Sequence, residues 1–198
     1  MALKPQPTRQ GFGEGLVELG RREPRVFVLA GDLTESTRAN LFQKAFPDRF
    51  LNMGIAEQDM LSTAVGLSLA GKIPFVCSFS AFVCSRGYDQ IRVSLCYNNS
   101  NVKIGGSHSG ITVGPDGATA QSLEDIALMR VLPNMTVIVP ADAIEAKKAT
   151  IAAAYVPGPL FLRLGRSPAP IVTREEDPFE VGRARVLREG RDVSIVAC

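Results

Sequence analysis

The sequence has a single histidine, and its four cysteines (Cys77, Cys84, Cys96 and Cys198) form no CxxC pair. That composition excludes the usual zinc-ligand spacings. The thiols read instead as buried, reduced side chains of a cytoplasmic protein. No apolar run approaches the ~20 residues that a bilayer span requires. The opening run Met1-Ala2-Leu3-Lys4-Pro5-Gln6-Pro7 lacks the apolar core of a secretory signal. A large excess of either charge is lacking too: the formal net charge is +2, so bulk electrostatics imply neither nucleic acid nor an anionic membrane as a partner. No GxGxxG or P-loop follows a strand-like run, which removes the common nucleotide fingerprints. Internal repeats and low-complexity tracts are absent as well.

What remains is an ordinary soluble composition, 45% hydrophobic and 21% charged over 198 residues, long enough for one large domain with a well-buried core. Apolar, β-rich runs alternate with helical patterns. Strands are predicted at Val26–Ala30, Phe50–Met53, Pro74–Phe79, Val102–Gly105, Thr136–Val139 and Leu160–Leu164. Helices are predicted at Gly11–Arg22, Ser36–Ala45, Ala56–Leu69, Phe82–Tyr97, Ser122–Arg130 and Ala141–Tyr155. Continuous apolar strands alternating with helices predict an α/β fold with a mostly parallel sheet covered on both faces. Ligands of such folds sit beyond the carboxyl ends of the strands, so the loops after Ala30, Met53, Ser78, Gly105 and Leu164 are expected at one rim. The domain is expected to span residues 1–166. Residues 167–191, rich in proline and charge, read as an interdomain linker. Residues 192–198 read as the opening strand of a further domain, so the chain is expected to be part of a larger or split protein.

Two stretches suggest chemistry. Glu57 opens an apolar helix in the run Asn52-Met53-Gly54-Ile55-Ala56-Glu57-Gln58. Farther on, Ser78-Phe79-Ser80-Ala81-Phe82 carries two phenylalanines at the end of a strand and precedes Arg86-Gly87-Tyr88-Asp89-Gln90. A lone glutamate at a helix start is usually a surface residue that suits the helix dipole, and paired phenylalanines are usually core. Together they suit a flat heteroaromatic cofactor: the rings offer a stacking face, and a partly desolvated carboxyl can exchange a proton with a ring nitrogen. The glycine-rich run Gly105-Gly106-Ser107-His108-Ser109-Gly110, leading to Asp116-Gly117, allows close backbone approach to a ligand.

These runs resemble the pyrimidine-binding domain of the transketolase family, whose cofactor is thiamine diphosphate. The resemblance implies that Glu57 hydrogen-bonds the aminopyrimidine and is catalytic, and that Phe82 stacks on that ring while Phe79 lines the pocket. It further implies that Asp32 approaches the cofactor across a subunit boundary and that His108 is catalytic and contacts the sugar substrate. Asp116 would recognise a donor hydroxyl. Arg9, Ser36 and Arg166 fall where the family places substrate-phosphate contacts, and arginine offers planar forks to such oxygens. Arg86 and Arg92 read as helix-packing or interface residues. Many transketolases have His-Gln after the Asp-Gly motif, whereas this chain reads Ala118-Thr119-Ala120-Gln121.

The family holds the diphosphate through magnesium with a Gly-Asp-Gly motif, which this sequence does not contain. Magnesium needs several oxygen ligands, so the resemblance implies that a separate diphosphate-binding transketolase subunit or domain holds the metal. No metal-ligand residue is expected in this chain. The implied assembly is a homodimer or heterotetramer, and the implied reaction transfers a two-carbon ketol unit between sugar phosphates. A deoxyxylulose-phosphate synthase fragment, or a noncatalytic assembly or regulatory subunit, is the alternative.

Overall fold

The computed structural model describes residues 4–184 and 186–196. Ala197 and Cys198, the end of the expected strand at 192–198, lie outside the described residues, and Val193 to Val196 pair with no strand. Six parallel strands form one sheet: β1 (Val26–Ala30), β2 (Phe50–Asn52), β3 (Ile73–Phe79), β4 (Lys103–Ser107), β5 (Thr136–Ile138) and β6 (Leu160–Arg163). Their spatial order is β2-β1-β3-β4-β6-β5. The order reverses between β1 and β3, which makes the carboxyl ends of those strands a topological switch point.

Alternation along the strands sorts the core into two layers. Val26, Val28, Phe75, Cys77, Leu160 and Leu162 face one side, where helices α1 (Thr8–Arg22), α2 (Asn40–Ala45) and α7 (Ala143–Ala153) cover them. Leu29, Val76, Ile104 and Phe161 face the other, covered by α3 (Glu57–Leu69), α4 (Ser80–Arg86) and α6 (Asp125–Arg130). The α1 and α7 backbones approach so closely that a Cβ on Gly11 would stand 1.8 Å from the Ala143 carbonyl oxygen. No helix among the described residues is long and apolar enough to cross a membrane.

The predicted strands appear with ends shifted by no more than two residues. Four helices differ from expectation by three residues or more, α1 by beginning at Thr8 rather than Gly11. The helix predicted from Ser36 begins only at Asn40, because Arg38 takes a left-handed φ of 66° and the Thr37 hydroxyl bonds back to Leu33 O and Thr34 O. The helix predicted from Ser122 begins at Asp125. The single helix predicted over Phe82–Tyr97 is instead α4, then the short α5 (Tyr88–Gln90) and a π-helical segment, Ile91–Tyr97. Gly87 marks the break: a Cβ there would meet Leu61 Cδ1 at 2.3 Å and Val83 O at 2.8 Å, so the chain must pass as glycine. Beyond Arg166 the chain stays fastened to the domain surface. Ala169 pairs with Gln6, the buried Asp142 carboxylate accepts from Val172 N, Thr173 N and Thr173 Oγ1, and Lys148 donates to Asp177 O at 2.7 Å.

Candidate active site

The carboxyl ends of β1, β2, β3, β4 and β6 gather the candidate residues at one rim. Asn52, at the end of β2, accepts from the backbone N–H of Asp32 and of Gly54 and donates to the Asp32 carboxylate at 3.2 Å. This junction joins the loops after β1 and β2 and sets the entry to α3. Gly54 takes the turn with φ 71°, and three residues later Glu57 opens the helix. The Glu57 side chain turns inward and is 2% exposed. Ser78, on the neighbouring strand β3, donates to Oε1 at 3.1 Å, and Arg86 at the end of α4 donates to Oε2 at 3.2 Å. The carboxylate therefore has a cationic partner, and Arg86, read from sequence as a packing residue, belongs to this cluster.

Arg86 also begins a stacked column. Its guanidinium carbon lies 4.4 Å over the Phe82 ring. Phe82 stacks on Phe79 with centroids 5.6 Å apart and planes inclined by 21°. Phe79 stacks in turn on the His108 imidazole at 3.7 Å and 20°. Phe79 is buried, with His108 on it, whereas Phe82 is half-buried and faces the half-exposed Arg86 side chain. Ala120 and Val113 back this column in a small apolar cluster, so the methyl group found where many transketolases have histidine is a packing element here.

At the far end of the column lies a cationic group. His108 takes φ 57°, which points its ring back from the end of β4. Ser107 Oγ lies 3.0 Å from Nδ1 and Arg9 Nη1 lies 3.4 Å from Nε2. Arginine can only donate, so Nε2 accepts and Nδ1 carries the proton toward Ser107. Burial, reinforced by the charge of Arg9, pushes the His108 pKa down to about 4, so the ring is neutral at neutral pH. Arg9 also donates to the backbone oxygen of Ser36 at 2.6 Å. It is the Ser36 carbonyl, then, that joins the cluster through this bond. Burial lowers the Arg9 pKa, with the charges of Arg38 and Arg166 acting in the same direction. Arg166 stands 3.9 Å from the exposed Asp116 carboxylate. The Nε atoms of Arg9 and Arg38 are buried with no hydrogen-bond partner. Buried cationic donors without acceptors fit an anionic ligand. Arg38 was missed in the sequence because it follows a predicted helix start; its left-handed backbone is what brings it to the rim.

The donor set also fits an aminopyrimidine: a buried carboxylate beside an aromatic face, reached from solvent past one half-exposed side chain. Among the described residues no cluster of His, Cys, Asp and Glu could hold a metal ion.

Known proteins resemble this chain in sequence and in fold. The family profile "Transketolase, pyrimidine binding domain" matches residues 4–171. A protein assigned as the C-terminal section of a transketolase in Methanocaldococcus jannaschii is 44% identical over 96% of this chain and 60% of its own length. Human transketolase is 38% identical over 93% of this chain and 30% of its own length. Among solved structures, a split-gene transketolase described as an inactive β4 tetramer superposes with a TM-score of 0.86 at 49% identity, over 96% of this chain and 61% of that one. The Campylobacter jejuni enzyme superposes with a TM-score of 0.79 at 25% identity, over 86% of this chain and 27% of that one. The chain thus spans about 60% of the length of the most similar of these relatives and under a third of the single-chain enzymes. Its sequence and its sheet place it in one group: the chain belongs to the transketolase pyrimidine-binding-domain family.

Proposed function

We propose that this chain is the pyrimidine-binding part of a thiamine diphosphate-dependent transketolase. In this reading it transfers a two-carbon ketol unit between sugar phosphates in the cytoplasm, and it acts only with a diphosphate-binding partner that holds magnesium. The observation that carries the reading is buried Glu57 and the Phe82 ring, joined through Arg86, at the sheet's switch point. Glu57 would hold the aminopyrimidine by a ring nitrogen and move a proton at that atom, with Ser78 fixing the carboxylate's orientation. Phe82 would stack on the ring and Phe79 would support it. Thiamine diphosphate, when bound, supplies the nucleophilic carbon through which the carbon–carbon bond is cleaved and re-formed.

Arg9, Arg38 and Arg166 would bind the anionic end of the sugar, their charges gathered where buried N–H groups lack acceptors. Neutral His108 would meet a substrate hydroxyl without adding charge, and Asp116 a second hydroxyl. Asp32 is exposed at the rim and would face an adjoining subunit. A relative from a Clostridium species, 39% identical over 96% of this chain and 59% of its own length, is a 6-deoxy-6-sulfo-D-fructose transketolase subunit. An arginine cluster accepts sulfonate as well as phosphate, so both sugar types belong in the assay. The inactive β4 assembly of a split-gene relative supports the need for a partner chain.

The test is ketol transfer from xylulose 5-phosphate to ribose 5-phosphate with thiamine diphosphate and magnesium. It is run on this chain alone and mixed with its diphosphate-binding partner. Activity in the mixture alone is expected. An assembled complex that binds the cofactor yet transfers no ketol unit from either sugar type overturns the reading.

A further inference from the structure

Arg86 makes the two contacts that the proposed cofactor seat offers: it donates an N–H to Glu57 Oε2 at 3.2 Å, and its guanidinium carbon lies over Phe82, 4.4 Å from the ring centroid. A guanidinium is planar, carries N–H donors on its edge and stacks on aromatic faces. An aminopyrimidine shares that shape and that edge chemistry. We infer that Arg86 is an internal stand-in for the aminopyrimidine, holding the seat in its binding form until the cofactor displaces it. This inference rests on the proposed cofactor seat.

Three features argue that the side chain is built to leave. The Arg86 side chain is 48% exposed while its carboxylate partner is 2% exposed, so solvent lies beside it and an exit path is open. Among the described residues Glu57 is its only ion-pair partner, so no second acid retains it. The backbone beneath it is fixed: the following residue, Gly87, is packed so tightly against Leu61 and Val83 O that a Cβ has no room. Release is therefore a side-chain rotation with α4 unmoved. The stand-in has a physical purpose, since a carboxylate buried without a partner is costly. Before the cofactor arrives, Arg86 supplies the missing charge and links Phe82 to Glu57 through one side chain. The consequence is competition, because a seat filled by Arg86 nine-tenths of the time weakens apparent cofactor affinity about tenfold.

The experiment is calorimetric titration of thiamine diphosphate, with magnesium, into the complex of this chain and its diphosphate-binding partner. Wild type is compared with Arg86→Ala and Arg86→Gln. A parallel thermal melt of each variant without and with saturating cofactor checks folding and reads the seat's own stability. Removal of the competitor is expected to tighten binding about tenfold in Arg86→Ala and less in Arg86→Gln, which keeps a planar donor. The melting temperature without cofactor is expected to fall, and saturating cofactor to restore it. Equal or weaker binding by both folded variants overturns the inference and makes Arg86 a bystander or a cofactor contact. If the wild-type complex itself binds no thiamine diphosphate, the reading of the seat fails, and the inference fails with it.

Discussion

Ser78 reaches from β3 to the first residue of α3, its hydroxyl donating to the buried Glu57 carboxylate at 3.1 Å. Strand and helix are thereby joined at the atom on which the proposed chemistry depends. Ser78→Ala leaves Arg86 in place and removes about 1 kcal/mol of orientation, so ketol transfer by the assembled enzyme is expected to fall about fivefold. Glu57→Gln removes the proton-exchanging group itself and is expected to lower the rate by roughly 10²–10⁴. The ratio of the two losses, measured as kcat in the assembled complex, is the check. Equal losses would mean that Glu57 acts only through its hydrogen bond to Ser78.

His108 predicts an acid-sensitive domain. Its pKa in the fold is pushed down to about 4 from an ordinary 6.5, chiefly by burial. Between those values the unfolded chain takes up a proton that the folded ring refuses. The stabilising contribution is therefore complete above about pH 6.5 and is lost as pH falls toward 4. His108→Asn keeps a residue that tolerates φ 57° and has no titration there. Urea midpoints at pH 7 and pH 5 should differ less in this variant than in the wild type.

The comparison of sequence with structure has a physical pattern. The strands were legible because most are short, continuous apolar runs covered on both faces, as in Val26–Ala30, where all but Phe27 are buried. Glu57 was legible because the residues that place it, Asn52 through Ala56, are its chain neighbours. Arg86 and Arg38 were not. Arg86 reaches Glu57 only because Gly87 stops α4 one residue later, a packing event governed by Leu61. Arg38 reaches the rim through a left-handed turn inside what periodicity reads as helix. Local pattern shows which residues are buried; the long-range contact that turns a charge inward leaves no periodic trace.

Asp125 and Arg163 form an ion pair behind the His108 loop, with Arg163 Nε 3.0 Å and 3.1 Å from the two carboxylate oxygens. The two partners are not equally buried: the Asp125 side chain is 0% exposed and that of Arg163 is 24% exposed. Arg163→Ala leaves a buried carboxylate with no cationic partner, only the Ile126 N–H at 2.9 Å, and is expected to cost about 3 kcal/mol. Asp125→Ala leaves a guanidinium that can turn to solvent, and about half that loss is expected. Urea unfolding of the two variants should therefore rank them in that order, and the reverse order would show that the pair is not held by desolvation of the acid.

Lys103 sits fully buried at the start of β4, where its ammonium group donates to Val156 O at 2.5 Å and Gly158 O at 2.7 Å. Those carbonyls belong to the turn between α7 and β6, which the backbone ladder leaves without other donors for these two oxygens. Burial pushes the Lys103 pKa down to about 7, but a neutral amine still donates, so the bond to the turn survives loss of the proton. The position therefore demands a donor more than a charge. Lys103→Met matches the stem in length and adds apolar contact, yet strands two buried carbonyls. A loss of about 2 kcal/mol is expected, seen as a lower urea midpoint with unchanged slope. If Met proved neutral, the two carbonyls would have to find other donors, and the register of β6 against β4 would rest on the ladder alone.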